Sequence, residues 1–184
     1  MAMNSDIIII GGGLAGLIQT IALAQNGFQV LCLDQNNLET PAPSDERTTA
    51  ISYGSHLLLQ KIGIWQAVEK DACPIQDIHI TDGASPLLLQ FEIEDIDEKT
   101  SAEAFGWIVE NHVLKKALAE KLQNEKNATY LSNMKVTGFE TSQDKIQVVT
   151  PSQQFTARLA IGADGRNSFT REWMQVGTKE WSYN

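Results

Sequence analysis

The chain has 184 residues, of which 42% are hydrophobic and 20% charged, and its 14 basic and 23 acidic side chains give a formal net charge of -9. This composition is typical of one globular domain, and the acidic balance argues against nucleic acid as the main partner. No apolar stretch approaches the roughly 18 residues of a membrane span, the N-terminal residues lack the order of a signal peptide, and the two cysteines have neither disulfide-framework nor zinc spacing, so we expect a cytoplasmic protein.

The first elements along the chain form a strand–helix–strand pattern around a glycine-rich turn. The β-branched run Ile7 to Ile10 is typical of a strand buried on both faces of a parallel sheet. Apolar residues then recur at helical spacing up to a stop signal at Asn26-Gly27. A second strand is predicted over 28–33. Between the first strand and the helix lies the sequence Gly11-Gly12-Gly13-Leu14-Ala15-Gly16.

This turn matches the pattern G-x-G-x-x-G of dinucleotide-binding proteins. Gly11 permits the tight turn, Gly13 lets a pyrophosphate approach the backbone, and Gly16 lets the helix lie close to the strand. The free N–H groups and positive dipole end of the helix that begins at Leu14 and Ala15 would then hold the phosphates.

Asp34 directly follows the second strand, about 20 residues beyond the glycine turn, where a carboxylate can accept both ribose hydroxyls of an adenosine. A free carboxylate at this position disfavours a 2′-phosphate, so FAD or NAD is favoured over NADP. The predicted nucleotide site therefore comprises Gly11, Gly13, Leu14, Ala15, Gly16 and Asp34.

The remaining elements are shorter. Residues 35–50 are predicted to form a long loop, and Ser55 is predicted to cap a helix that ends at Lys61. Two strands are predicted within 75–91, an exposed acidic segment over 92–103, and an amphipathic helix from Asn111. Short strands are predicted to follow at 129–131, 136–141, 146–150 and 155–161.

The histidines and tryptophans suggest no separate site. The three histidines share no spacing with acids or cysteines, so ordinary surface or core positions are expected and no metal site is predicted. The four tryptophans are scattered along the sequence, so packing in the core is favoured over a stacking platform.

Near the end of the chain, a predicted strand leads into Gly162-Ala163-Asp164-Gly165-Arg166-Asn167-Ser168. This segment resembles the second fingerprint of the class A flavoprotein monooxygenases, the FAD-dependent aromatic-ring hydroxylases. Further segments in the same order resemble the ubiquinone-biosynthesis branch of that family. They are Asp45-Glu46-Arg47 with Ala50-Ile51-Ser52, Leu59 with Gly63-Ile64-Trp65, Gly106 to Asn111, and a strand at Trp181-Ser182-Tyr183.

The resemblance implies an α/β fold: a Rossmann-like, glutathione-reductase-like parallel sheet that binds FAD, with the beginning of an antiparallel sheet on the substrate side. Residues 1–184 would form a partial FAD-binding domain, and 75–105 would contribute strands to an incomplete substrate domain. It also implies that Arg47 reaches the FAD phosphates or the flavin edge, that Asn111 is a polar residue near the cofactor, and that Asp164 and Gly165 complete the phosphate side.

The reaction that the resemblance implies is flavin-dependent hydroxylation, in which NAD(P)H acts as a transient reductant and oxygen is transferred to an electron-rich phenolic or quinol ring in ubiquinone biosynthesis. No catalytic acid or base is identified, because no suitable pair of residues is found. The small-molecule partner would be aromatic, and its polyprenyl chain suggests contact with a membrane or with other biosynthetic proteins. A homo-oligomer is compatible with the same resemblance.

The family continues beyond the second fingerprint with the rest of the substrate sheet and a later Gly-Asp motif, so this chain alone is expected to be inactive. Two alternatives stay open from the sequence. One is a non-catalytic FAD-binding remnant, and the other is an NAD-dependent Rossmann oxidoreductase in which Asp164-Gly165 is coincidental.

Overall fold

The structure is a computed structural model that describes residues 4–38, 46–83, 88–95 and 103–182. The chain divides into two compact units, one formed by residues 1–42 and 118–184 and the other by residues 43–117.

The strands and helices have the following bounds. The strands are β1 (Asn4–Ile10), β2 (Val30–Leu33), β3 (Thr48–Ser52), β4 (Cys73–Ile75), β5 (Asp77–Thr81), β6 (Leu88–Glu92), β7 (Gly106–Glu110), β8 (Ala128–Leu131), β9 (Gly138–Thr141), β10 (Ile146–Val149) and β11 (Gln154–Gly162). The helices are α1 (Leu14–Gln25), α2 (Tyr53–Lys61), α3 (Trp65–Val68), α4 (Asn111–Gln123) and α5 (Phe169–Trp173). Short 3-10 turns occupy Glu69–Asp71 and Ile93–Asp95.

The first unit is organised around a sheet in which the described strands have the order β8-β2-β1-β11-β10-β9. The strands β8, β2, β1 and β11 are parallel, whereas β10 and β9 are added in antiparallel fashion. The Rossmann-like parallel sheet predicted from the sequence is therefore confirmed, and the carboxyl ends of β1, β2 and β11 lie at one edge.

The central position of β1 follows from its isoleucines. Ile8 and Ile10 belong to one buried cluster with Leu31 and Phe155, whereas Ile7 and Ile9 belong to a second cluster with other residues. A strand that is apolar on both faces is stable only between two packed layers, which explains the unbroken aliphatic run.

The helix α1 ends where the sequence predicts. Its apolar positions Leu17, Ile21 and Ala24 are buried. Asn26 follows as the C-terminal cap, and Gly27 adopts a φ of +90°, a left-handed conformation that favours glycine.

The second unit contains two antiparallel sheets. The strands β3, β7 and β4 form one sheet in that order, and β5 and β6 form a two-stranded hairpin. The two strands predicted within 75–91 are thus present as β5 and β6, although residues 84–87 between them lie outside the described residues. The helix predicted from Asn111 is confirmed as α4.

Several sequence-based boundaries are wrong. The predicted loop over 35–50 includes the start of β3, because Thr48 to Ser52 pair with β7. The cap of α2 is Ser52 rather than the predicted Ser55, because the hydroxyl of Ser52 accepts a hydrogen bond from the N–H of Ser55, and the helix therefore begins at Tyr53. The second strand begins at Val30 rather than at position 28.

For the tryptophans, the sequence predicts a strand at Trp181-Ser182-Tyr183 and packing in the core. Residues 177–182 include no strand in the part of this segment that the structure describes, and Trp181 is 67% exposed, so the predicted strand at Trp181-Ser182 is wrong. Tyr183 lies outside the described residues. Trp65 and Trp107, although distant in sequence, have ring centroids 5.1 Å apart and enclose His56.

Candidate cofactor-binding site

The two glycine-containing motifs meet at the carboxyl edge of the parallel sheet. The N–H of Ala163 donates to the carbonyl of Ile10 at 2.7 Å, so the end of β11 is joined to the start of the first turn. A Cβ on Gly11 would collide with the carbonyl oxygen of Ala163 and lie 2.8 Å from the Cα of Asp164. The second fingerprint thus packs directly on Gly11, the first glycine of the glycine-rich turn.

The glycines of the first turn have different roles. Gly11 has a φ of +104°, which favours glycine, and a Cβ on Gly16 would collide with the carbonyl oxygen of Gly11. By contrast, a Cβ on Gly13 would meet no atom within 4 Å. Gly11 and Gly16 are therefore needed for the local fold, whereas Gly13 leaves open space in front of α1.

The N-terminus of α1 fits an anionic group. Gly13 is its N-cap and supplies no side-chain cap, and no acidic residue lies in its first turn. The first N–H groups of a helix have no intrahelical acceptor, so those at Leu14 and Ala15 are available to phosphate oxygens. The uncapped helix and the open space at Gly13 together fit a dinucleotide pyrophosphate.

Asp34 is held against the glycine turn. Its side chain is 9% exposed, and Oδ2 accepts a hydrogen bond of 2.7 Å from the N–H of Gly12, whereas Oδ1 accepts one of 2.8 Å from the N–H of Asn36. Oδ1 also accepts a longer hydrogen bond of 3.3 Å from Nδ2 of Asn36. A carboxylate offers about four lone-pair positions, so one position on Oδ2 is free and a ribose hydroxyl can replace the longer bond at Oδ1. The carboxylate predicted to bind the ribose is therefore fixed beside the predicted pyrophosphate site.

Tyr130 is a residue of this site that no sequence motif predicts. It lies on β8, paired in register with Cys32 of β2, and a Cβ on Gly12 would come within 2.7 Å of its Oη. Burial raises the pKa of the Tyr130 hydroxyl, and the charge of Asp34 raises it further. No motif marks this position, because only the pairing of β8 with β2 brings it to the glycine turn.

Asp164 organises the second fingerprint. Its carboxylate accepts hydrogen bonds from the hydroxyl of Ser168 and, at 2.8 Å, from the N–H of Thr170. Burial alone would raise the pKa of Asp164, but these hydrogen bonds outweigh it and hold that pKa below its usual value. Gly165 adopts a φ of +81°, and a Cβ there would meet no atom within 4 Å. Asp164 thus shapes the turn that exposes Gly165.

Arg47 and Asn111 lie together in the second unit. The carbonyl of Arg47 accepts a hydrogen bond of 3.0 Å from the N–H of Asn111, and the hydroxyl of Thr49 donates to Oδ1 of Asn111. Their sequence separation is bridged by the pairing of β3 with β7. The contribution of both residues to cofactor binding stays a prediction.

The described residues also bear on metal binding and on membrane spans. Within these ranges, no group of three or more His, Cys, Asp and Glu side chains is placed to hold a metal ion. None of the helices in the described part of the chain has both the length and the apolar character that crossing a membrane requires.

Comparison with known proteins agrees with this geometry. The chain is 34% identical over 185 residues to a protein named ubiquinone hydroxylase UbiL from Rhodospirillum rubrum, covering 97% of this chain and 41% of that protein. It is 29% identical to ubiquinone hydroxylase UbiM from Neisseria meningitidis, covering 100% of this chain and 41% of the relative. The chain therefore spans about two fifths of the length of these relatives.

The fold is also shared with a solved structure. A probable FAD-dependent monooxygenase from Pseudomonas aeruginosa, PqsL, superposes with a TM-score of 0.76 at 15% identity, covering 98% of this chain and 48% of PqsL. The resemblance to ubiquinone hydroxylases inferred from the motifs is confirmed, and FAD is the cofactor to which the family match points. The FAD binding domain family matches residues 4–182, and the chain belongs to that family.

Proposed function

We propose that the chain is the FAD-binding part of an NAD(P)H- and O2-dependent hydroxylase that acts on the aromatic ring of a polyprenyl-phenol or quinol in ubiquinone biosynthesis. The cofactor assignment rests on the junction between the glycine-rich turn and the second fingerprint. There, Ala163 and Asp164 pack on Gly11 beside the uncapped helix α1. The similarity to UbiL and UbiM supports the reaction and the substrate class.

Each residue of the site has a role in binding under this proposal. The N–H groups of Leu14 and Ala15, with the open backbone at Gly13, hold the pyrophosphate, and Gly11 and Gly16 give the turn the close packing that this requires. Asp34 accepts hydrogen bonds from the adenosine ribose. Bound FAD supplies the oxidation–reduction chemistry that transfers oxygen to the ring, and the protein orients the cofactor and the substrate.

The second group of proposed cofactor contacts comes from two other parts of the chain. Arg47 supplies a guanidinium suited to phosphate oxygens or the flavin edge, and Asn111 supplies a polar side chain near the cofactor. Asp164 keeps its turn in shape so that the backbone at Gly165 faces the phosphates. We propose a cytoplasmic location with contact at the membrane that carries the polyprenyl substrate, and the non-catalytic remnant is the second candidate.

Replacing the glycine at the N-cap of α1 tests the cofactor site. Asp is a better N-cap than Gly and its charge suits the helix dipole, so Gly13→Asp should raise the free energy of unfolding by about 0.5 kcal/mol. The same carboxylate would repel a pyrophosphate, so FAD affinity should fall at least about tenfold. The measurements are urea denaturation and quenching of FAD fluorescence on the 184-residue chain, with the visible spectrum recorded after gel filtration.

Gly54→Asp is the matched control for this variant. Gly54 lies in the first turn of α2, and a Cβ there would also meet no atom within 4 Å. The control should bind FAD as tightly as the wild-type chain. If Gly13→Asp keeps full affinity, or if the wild-type chain takes up no FAD, the assignment of the cofactor site is wrong.

The reaction is tested separately in the source organism. Disruption of the gene should lower ubiquinone and cause accumulation of a polyprenyl-phenol that lacks one ring oxygen, measured by mass spectrometry of lipid extracts. The wild-type gene and the Gly54→Asp gene should restore ubiquinone, and the Gly13→Asp gene should not. An unchanged quinone profile after disruption would favour the non-catalytic remnant.

A further inference from the structure

Tyr130 occupies an unusual place beside the glycine turn. The strand β8 ends there, and its backbone continues to hold Asp34: the N–H of Asp34 donates to the carbonyl of Leu131 at 3.0 Å, and the N–H of Met134 donates to the carbonyl of Asp34 at 2.7 Å. The backbone of Asp34 is therefore fixed by the strand that carries Tyr130 and by the segment that follows that strand. Any adjustment of the Asp34 carboxylate must occur by rotation of its side chain.

The space around Gly12 brings three groups together. A Cβ on Gly12 would collide with Oδ2 of Asp34 and would lie 2.7 Å from both Cε2 and Oη of Tyr130. Because Gly12 has no side chain, the phenol and the carboxylate both reach the same point above the turn. The middle glycine of Gly11-Gly12-Gly13 is thus required by these two side chains and not by the dinucleotide pattern, in which this position is unrestricted.

The hydroxyl of Tyr130 makes no hydrogen bond of regular geometry in this arrangement. Its oxygen is buried, and the carboxylate of Asp34 is the hydrogen-bonding group that acts on it. A buried polar group without a partner costs free energy, and such groups in native proteins usually have a functional explanation. The oxygen is sealed from solvent, so its partner on cofactor binding has to be a group already next to it, and Asp34 is that group.

The negative charge of Asp34 favours a hydrogen-bond donor beside its carboxylate. The carboxylate accepts hydrogen bonds from the N–H groups of Gly12 and Asn36, and ribose hydroxyls would add to these. A neutral phenol beside a carboxylate acts as a donor, and a hydrogen bond to a charged acceptor is stronger than one between neutral groups. The raised pKa of Tyr130 keeps the phenol protonated for this purpose.

We propose that Tyr130 is a positioning residue of the adenosine subsite: its hydroxyl donates to Oδ2 of the Asp34 carboxylate when a ribose hydroxyl engages Oδ1, and it thereby favours an adenosine with a free ribose hydroxyl at this carboxylate. The inference rests on the proposed FAD site. It assigns to the chain a contact that acts through Asp34 and not by touching the cofactor.

The test is Tyr130→Phe, which keeps the ring and removes only the unpaired hydroxyl. Thermal unfolding of the ligand-free chain should occur at the same or a higher temperature, because a buried polar group without a partner is lost. Affinity for FAD and for ADP, measured by fluorescence and calorimetric titration, should fall about tenfold. Affinity for 2′,3′-dideoxy-ADP should not change, because this analogue has no hydroxyl for Asp34 to accept.

Tyr53→Phe is the matched control, since Tyr53 belongs to the aromatic cluster of the other unit, and its affinities should equal those of the wild-type chain. Equal FAD affinity for the wild-type chain and Tyr130→Phe would overturn the inference and leave the FAD site intact. An equal loss for ADP and the dideoxy analogue would also overturn it, because a merely structural role affects both. A wild-type chain that binds neither FAD nor ADP would overturn the proposed cofactor site itself.

Discussion

His56 is a buried imidazole whose environment favours the neutral form. Its side chain is 7% exposed, its ring lies 4.2 Å from that of Trp65 and 4.1 Å from that of Trp107, and neither ring nitrogen has a partner among the described residues. Burial lowers the pKa of His56 below the ordinary 6.5, although the charges of Glu69 and Glu103 act in the opposite direction. The sequence-based expectation of an ordinary core histidine describes its burial but not its unpaired nitrogens.

This burial predicts that the stability of the fold depends on pH through His56. The unfolded chain binds a proton at His56 below about pH 6.5, whereas the folded chain resists protonation. The free energy of unfolding should therefore have its full value above that pH and should fall as the pH decreases from 7 to 5. His56→Leu should remove much of this slope, as measured by urea denaturation followed by circular dichroism.

His79→Leu is the control for that variant. His79 is exposed on β5, so its replacement should leave the slope between pH 7 and pH 5 as in the wild-type chain. If His56→Leu unfolds with the same pH dependence as the wild-type chain, the imidazole is not the group responsible.

Among the elements, the short helix α5 depends on the carboxylate of the second fingerprint. Asp164 accepts from Ser168, whose hydroxyl also caps α5 by accepting from the N–H of Arg171 at 2.9 Å. Asp164→Asn removes the charge and places an amide where a hydrogen-bond donor already points. We expect a loss of about 1 kcal/mol in the free energy of unfolding at pH 7.

The pH dependence distinguishes a charge effect from loss of shape. The lowered pKa of Asp164 means that its carboxylate stabilises the fold above its unfolded value of about 3.9, and that this contribution is lost as the pH falls through the lower folded value. The difference between the wild-type chain and Asp164→Asn should therefore shrink below about pH 4. Asp144→Asn, in the exposed turn between β9 and β10, should cause no loss at either pH.

The hairpin of β5 and β6 has an apolar face that follows from the pairing of its two strands. The alternation of apolar and polar residues in each segment predicts a strand with one apolar face. The pairing register of the two strands places Ile78 opposite Phe91 and Ile80 opposite Leu89. These four side chains therefore lie on the same face of the hairpin, and all are exposed. An exposed apolar face of this kind is uncommon on a monomeric protein, and it fits the predicted role of 75–105 as strands of a larger substrate sheet.

For the whole molecule, the division into two units follows the predicted functions only in part. The nucleotide motifs fall in the unit formed by residues 1–42 and 118–184, and the sheets β3-β7-β4 and β5-β6 fall in the unit formed by residues 43–117. Arg47 and Asn111, both predicted to contact the cofactor, belong to the second unit. The division into a partial FAD-binding domain over 1–184 and substrate-domain strands within 75–105 stays a prediction, and the compact unit 43–117 also contains β3, β7 and α2.

The local elements of the nucleotide site could be predicted from the sequence alone. The aliphatic run of β1, the glycines at 11, 13 and 16, the stop at Gly27 and the Asp-Gly turn of the second fingerprint are each encoded by neighbouring residues, whose conformational preferences need no distant partner. The family resemblance and the FAD assignment followed from the order of these local signals.

The tertiary structure alone decided which distant residues meet. Strand pairing and side-chain packing between segments far apart in sequence produce three contacts. They are the contact of Ala163 with Gly11, the approach of Tyr130 to Gly12 and Asp34, and the packing of Trp107 on His56. The start of β3 inside a predicted loop has the same origin, because its hydrogen bonds are made with β7. A polar or glycine-flanked segment gains its structure from such a partner, and the partner is not specified by the segment's own residues.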